Sequence, residues 1–234
     1  MANILAIDTS SAWCSVALSL DDQAPELRHE AVSAGASQLL LPWIESLLGN
    51  ANITLKDLDV ISVGIGPGAF TGVRLGVAAV QGLAISNNLP VISVSSLDAI
   101  ASQLVQTPKF QKANANHFVI AIDARMEEVY WACYENQVDQ LPRRIGDIYL
   151  TKPEDIALEG VDYLAGSAIN PYRERLPNFL GGLDAEIAIS ALGVMDCARH
   201  LFAEGMQQDV RQLEPLYVRN KVAFTTAERL EAFK

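Results

Sequence analysis

The chain reads as an α/β protein with an internal duplication: two mixed sheets, each flanked by helices. Short apolar runs of strand length alternate with segments of helical period, the pattern of a partly parallel sheet. One phrase also occurs twice. Ile4-Leu5-Ala6-Ile7-Asp8 followed by Cys14-Ser15-Val16-Ala17-Leu18 is matched by Val119-Ile120-Ala121-Ile122-Asp123 followed by Val129-Tyr130-Trp131-Ala132-Cys133-Tyr134. A strand–aspartate–turn–strand unit repeated half a chain apart predicts two structurally similar halves. Between them Thr107-Pro108 through Asn116 is polar and aperiodic, which sets a boundary and gives subdomains at 1–106 and 117–234.

The first half opens with strands at Ile4–Asp8, Ser15–Leu20 (closed by Asp21-Asp22) and Leu27–Val32, joined closely enough for an antiparallel meander. A helix follows over Ser37–Leu48, with Ser37 as a cap, Pro42 tolerable only near the first turn, and Gly49-Asn50 as the stop. Val60–Ile65 is a buried strand that runs through a glycine-rich loop into a helix from Val73 to about Asn87. A strand at Val91–Val94 and a helix at Leu97–Val105 complete this half. In the second half, strands are expected at Val119–Asp123, Val129–Tyr134, Ile145–Leu150 and Val161–Ala165, with a helical turn at Pro153. Helices are expected at Pro171–Leu180 and Ala191–Glu204, the latter stopped by Gly205, before Pro215–Arg219 and a charged tail to Lys234.

Composition narrows the function. Half of the 234 residues are hydrophobic and only 19% are charged, so the chain buries a real core and is not disordered. It has no apolar run of about 18 residues or more, and Met1–Ser10 holds an aspartate but no Lys or Arg, so neither a membrane span nor a secretory signal is expected. A cytoplasmic location follows as an expectation. Twenty-eight acidic against 17 basic side chains leave a net charge of −11, which repels a phosphate backbone. Arg143, Arg144 and Lys152 are too sparse to form a nucleic-acid stripe. Cys14, Cys133 and Cys197 form no Cys-x-x-Cys pair and read as reduced thiols, while His29, His117 and His200 lack metal-ligand spacing, so no metal site is expected.

Two constellations stand out. Gly64-Ile65-Gly66-Pro67-Gly68-Ala69-Phe70-Thr71-Gly72 joins a strand to a helix, where backbone N–H groups can face an anion, with Arg74 in reach of it or of Asp57 or Asp59. No Gly-Lys-Ser/Thr closes the loop and Pro67 removes a donor, so a tight packing loop remains the other reading. Asp8 and Asp123 end equivalent strands, the place where actin-like ATPases and sugar kinases hold a metal and nucleotide phosphates. Those turns need glycine. Here Asp8 is followed by Thr9-Ser10 and Asp123 by Ala124-Arg125-Met126, so the nucleotide space is expected to be filled. The helices over Ser37–Leu48 and Val73–Asn87 are apolar on more than one side, which predicts a helical interface with another protein rather than a core-only role.

Together Ile4–Ser10, Gly66–Gly76, Ile122–Ala132 and Glu214-Pro215-Leu216-Tyr217-Val218-Arg219-Asn220 resemble the TsaB (YeaZ) family. The motifs run in order along almost the whole chain. The resemblance implies two actin-like (ribonuclease H-like) subdomains and a subunit of the machinery that makes threonylcarbamoyladenosine beside the tRNA anticodon. It further implies a non-catalytic scaffold with no catalytic residues of its own, which pairs with the metal-containing TsaD or with itself, works with the ATPase TsaE, and meets tRNA only through the complex. Carried onto this chain, the pairing face is Leu40, Trp43, Ile44, Leu47, Val73, Val77 and Val80. No intrinsic cofactor is implied, but ATP or ADP at the joint with the partner would bring in Gly66, Gly68, Thr71, Gly72 and Arg74. Ala36 departs from the family, in which a histidine often stands at about that point. The alternative is a self-sufficient actin-like enzyme, an ATP-dependent transferase or a glycoprotease-like peptidase, although no Ser/His/Asp set is legible.

Overall fold

The computed structural model describes residues 2–21, 23–32, 35–138 and 140–219. Asp22, the motif residue Asn220 and the charged tail after it lie outside the described residues. The first sheet holds β1 (Ile4–Asp8), β2 (Trp13–Ser19), β3 (Glu26–Ala31), β4 (Val60–Gly64) and β5 (Val91–Val94), in the order β3-β2-β1-β4-β5. The second holds β6 (His117–Arg125), β7 (Glu128–Glu135), β8 (Arg143–Thr151), β9 (Tyr163–Ala165) and β10 (Gly182–Asp184), in the order β10-β9-β6-β7-β8. Adding five to each strand number of the first sheet gives the second. In both, the opening strand is central, pairs antiparallel with its hairpin partner and parallel with the fourth strand. The duplicated phrase is a duplicated sheet.

Alternation along the strands sorts the core into layers. Leu5 and Ile7 of β1 face α1 (Ala36–Asn50) and α2 (Phe70–Asn87), while Ile4 and Ala6 face the opposite side. That opposite side is a middle layer made of α3 (Ser96–Val105) and, further along the chain, α6 (Ala191–Ala203). Phe118, Ile120, Tyr130 and Tyr134 of the second sheet cover the same layer from beyond. A smaller cluster lies on the far face of the second sheet, where Val119, Ala121 and Trp131 meet Ile156 and Ile169. The two middle helices occupy equivalent places, each following the last strand of its half, and they are exchanged. Helix α6 packs on β1, β2, β4 and β5 of the first sheet, and α3 packs on β6 and β7 of the second. Their crossing is close: a Cβ on Gly193 would lie 2.2 Å from the Ala99 carbonyl oxygen.

Three expectations are corrected. The stretch 107–116 is no aperiodic linker, because it holds α4 (Pro108–Ala113), six residues capped by the Thr107 hydroxyl and anchored in the middle core by Phe110. Six residues are too few to show a period. The helix expected over Pro171–Leu180 is only α5 (Ile169–Tyr172), since Pro177 disfavours helical geometry in the residue before it. The chain then forms the unexpected strand β10. Helix α1 starts at Ala36 with Gly35 before it and no side-chain cap, and it continues through Pro42 and past Gly49. Gln38, whose carbonyl Pro42 leaves without a helical donor, is exposed to water.

Glycines spaced by four press the start of α2 onto the β1–β2 turn. A Cβ on Gly72 would lie 1.9 Å from the Thr9 carbonyl oxygen, whereas one on Gly82 would meet nothing within 4 Å. Gly72→Ala should therefore lower stability by about 2–4 kcal/mol, because backbone must move to admit the methyl group. Gly82→Ala, in the open middle of the same helix, should raise it by about 0.5–1 kcal/mol. Urea denaturation of the two variants beside the parent checks the pair, and equal effects would contradict the packing described.

Candidate functional site: the glycine loop and the strand-end aspartates

Asp8 ends β1 with no exposed surface. Its Oδ1 accepts the Ser10 backbone N–H at 3.0 Å, and the Ser10 hydroxyl lies 2.9 Å from Oδ2 and 3.0 Å from the Ser96 hydroxyl. Burial pushes the Asp8 carboxyl from its ordinary 3.8 up to about 7, against the lowering effect of the two Ser10 bonds. Asp123 repeats the turn geometry in the second half. Its Oδ1 accepts the Arg125 N–H at 2.8 Å, and it also takes the Tyr172 hydroxyl and an ion pair with Arg125. Each strand-end aspartate thus ties down the N–H two residues on. Both are engaged in holding their own turns.

The glycine loop turns inward. Cβ atoms added to Gly64, Gly68 and Gly72 would strike Asp8 Oδ2, the Ser10 carbonyl and the Thr9 carbonyl at 2.0, 2.2 and 1.9 Å. The Ala69 N–H donates to the Ser10 carbonyl at 2.6 Å, and the Thr9 hydroxyl donates to the Gly72 carbonyl at 2.7 Å. The glycines are therefore taken up by backbone contact with the β1–β2 turn. Their closeness serves packing, the plainer of the two readings of this loop.

A second segment covers the same region. Leu213–Arg219 runs from α2 past the loop to the β6–β7 turn: the Gln81 amide donates to the Leu213 carbonyl, and the Leu216 N–H donates to the Ile65 carbonyl. Arg74 lies 3.7 Å over the Phe70 ring and donates to the Tyr217 hydroxyl at 2.8 Å. It makes no ion pair among the described residues, so the expected pairing with Asp57 or Asp59 is not seen. Those two instead cap Thr54 and receive the Asn3 N–H. Arg219, largely buried, pairs with Glu128 and donates to the Arg125 carbonyl. Between them Arg125, Met126 and Glu127 all have left-handed backbone, φ 61°, 57° and 60°. Three such non-glycine residues in a row are costly, and Asp123 and Arg219 hold them there.

Sequence spacing missed one pair. Ser15 and His29 are opposite each other in the β2–β3 register, with Ser15 Oγ 3.0 Å from His29 Nδ1. This serine and histidine do not make a nucleophile and base. Ser15 is fully buried, and its oxygen already accepts the Ala191 N–H at the start of α6 at 2.8 Å. Trp13 stacks on the imidazole, and burial lowers the His29 pKa. Only the strand register brings the two together, so no local motif could have revealed them.

The expected pairing face needs correction. Leu40, Ile44, Leu47, Val73, Val77 and Val80 are all buried in the core between α1, α2 and the first sheet, and Trp43 is partly buried. The outward face of α2 is instead Arg74, Ala78, Gly82 and Ile85, and on α1 Leu41, Pro42 and Glu45 are exposed. Among the described residues no three His, Cys, Asp or Glu side chains come together as metal ligands, and no helix is long and apolar enough to cross a membrane.

Residues 29–218 match the family model described as TsaD: tRNA N6-adenosine threonylcarbamoyltransferase. The tRNA threonylcarbamoyladenosine biosynthesis protein TsaB of Escherichia coli K12 is 36% identical over 230 residues, covering 94% of this chain and 96% of that protein. The chain belongs to the TsaB family. The TsaB protein of Haemophilus influenzae is 30% identical over 231 residues, covering 94% of this chain and 95% of that protein. Among solved structures, YeaZ from Pseudomonas aeruginosa superposes with a TM-score of 0.84 at 36% identity, covering 93% of this chain and all of that one. A second Pseudomonas aeruginosa structure, described as similar to peptidase YEAZ, gives 0.85 at 36% identity, with 94% of this chain and all of that one covered. The two actin-like halves of this TsaB family member are the duplicated sheets described above.

The pH behaviour of Asp8 follows from its burial. Its folded-state pKa stands above its ordinary value, so the neutral form favours folding. That stability is fully present below the ordinary 3.8 and is lost as pH rises through about 7. Asp8→Asn keeps an acceptor for the Ser10 N–H and cannot ionise. Thermal melts between about pH 4 and pH 8 should show the parent losing stability relative to this variant by up to a few kcal/mol. Parallel curves would mean that Asp8 does not titrate in this range.

Proposed function

We propose that this chain is a non-catalytic scaffold subunit in the formation of threonylcarbamoyladenosine on tRNA, acting in the cytoplasm by pairing with a TsaD subunit that carries the chemistry. The biosynthetic role rests on the TsaB relatives and the TsaD-type family model. The observation that carries the non-catalytic reading is the closed turn at Asp8. Its carboxylate has no exposed surface, and the glycines that would admit a phosphate are pressed against Thr9 and Ser10. A self-sufficient ATP-dependent enzyme needs that space open, and a serine peptidase built on the Ser15–His29 pair would need Ser15 within reach of solvent.

The pairing surface in this reading is the outer face of α1 and α2, where Ala78 and Gly82 let a second helix approach and Leu41 and Ile85 offer apolar area. The same surface serves a second copy of this chain when TsaD is absent. The N–H groups opening α2, with Thr71 and Arg74, form the edge of the loop that would contact ATP or ADP at such a joint, while Gly66, Gly68 and Gly72 only shape it. An ATPase of the TsaE kind joins as a further subunit, and tRNA is met through the assembly, in keeping with a net charge of −11.

Size exclusion with light scattering, on the chain alone and mixed with TsaD from the same organism, tests this. The expected result is a homodimer that converts to a heterodimer. Ala78→Arg should weaken both associations at least about tenfold, since it sets a bulky charge in a closely packed joint, while leaving the monomer folded by circular dichroism. Val77→Arg should instead unfold the monomer, because Val77 is only 3% exposed. A monomer indifferent to TsaD would overturn the scaffold reading.

A further inference from the structure

The middle layer is open on one side, between the edge strands β5 and β8. There the N-terminal part of α3, the C-terminal part of α6 and, between β7 and β8, Gln137, Leu141 and Pro142 enclose a cleft of about 310 Å³. It is separate from the glycine loop and from the outer faces of α1 and α2. We propose that this cleft binds a small organic anion, a single carboxylate or phosphate group carried on a compact apolar body.

Arg144 is the group that would take the anion. One of its nitrogens, Nη1, makes all of its contacts: 3.0 Å to each Asp98 carboxylate oxygen and 3.4 Å to the Ser95 hydroxyl. Nη2 and Nε have no partner among the described residues, so the fork is held by one prong, with two nitrogens carrying three N–H donors unused. Asp98 is fixed in turn by the buried Tyr134 hydroxyl at 2.7 Å, which keeps the arginine in place before any ligand arrives. Its carboxylate is balanced by Arg144. Arg143 stands at the rim, paired outward with Glu135.

The rest of the cleft suits the remainder of such a ligand. Val94, Leu141, Pro142 and Leu201 supply apolar wall, and the space is at the lower end of the range for small-molecule sites, room for about 10–15 heavy atoms. Because the lining comes from both halves, the exchange of α3 and α6 is what builds it. A bound ligand would touch the first sheet, both middle helices and β8 together.

The test is amide NMR of the ¹⁵N-labelled full chain titrated with phenyl phosphate and, separately, benzoate. Saturable shifts at Ser95, Asp98 and Arg144, with a Kd of about 1 mM or tighter for at least one probe, are expected, and which probe binds tells phosphate from carboxylate. Arg144→Gln should weaken binding at least about tenfold. Leu141→Trp, which fills the cleft from a surface loop, should abolish it and carries the test if Arg144→Gln does not fold. Shifts that grow linearly to about 10 mM, or that saturate at Phe70–Gly72 instead, would overturn the site. Unweakened binding by the folded Arg144→Gln variant would overturn the anion chemistry.

Discussion

Four glycines at intervals of four residues, Gly64, Gly68, Gly72 and Gly76, all face one turn. Their Cα atoms lie so close to Asp8, Ser10 and Thr9 that none has room for a methyl group without displacement. Two of these neighbours are backbone carbonyls, which cannot rotate aside as a side chain could. This contact sets how α2 leaves the first sheet, and much follows from that. The helix buries Val73, Val77 and Val80 and turns Ala78, Gly82 and Ile85 to solvent. The aspartate beneath is sealed. A loop that resembles a phosphate cradle in sequence is a joint between two pieces of backbone.

The exchange of the two middle helices has comparable weight. Helix α3 completes the core of the second sheet and α6 that of the first, so the apolar faces of both sheets are satisfied by one shared layer. Small groups make the crossing tight. Gly193 sits against the Ala99 carbonyl, and the Ser102 hydroxyl lies within bonding distance of the carbonyls of Ala99 and Gly193. Ser15 adds a tie from β2 to the start of α6. The Leu213–Arg219 segment then links the halves on another side through Arg219 and Glu128.

Most strands are legible because they are short apolar runs bounded by turn residues, and the repeated aspartate phrase exposes the duplication. Where periodicity spoke, it named residues that share a face without saying which way that face points. Val73, Val77 and Val80 do share one, and it is the inner one. Local signals also failed below a certain length: α4 is six residues, and β10 is three residues behind a pair of glycines. The site was half readable. The turn residues Thr9-Ser10 and Ala124-Arg125 were visible in the sequence beside the two aspartates that hold their backbone. The meeting of Ser15 with His29, and of Asp98 with Arg144, depends on strand register and tertiary packing that adjacent residues do not encode.

The shared middle layer also sets an order of assembly. During synthesis the first sheet and its outer helices emerge well before Ala191–Ala203, the helix that covers the sheet's inner face. Until then Ile4, Ala6 and Ala17 have no final partner on that side, and the nascent first half carries a greasy face that it cannot cover by itself. Folding of the first sheet is completed by a helix made much later, a long-range dependence that slows the search and makes the growing chain a natural client for chaperones.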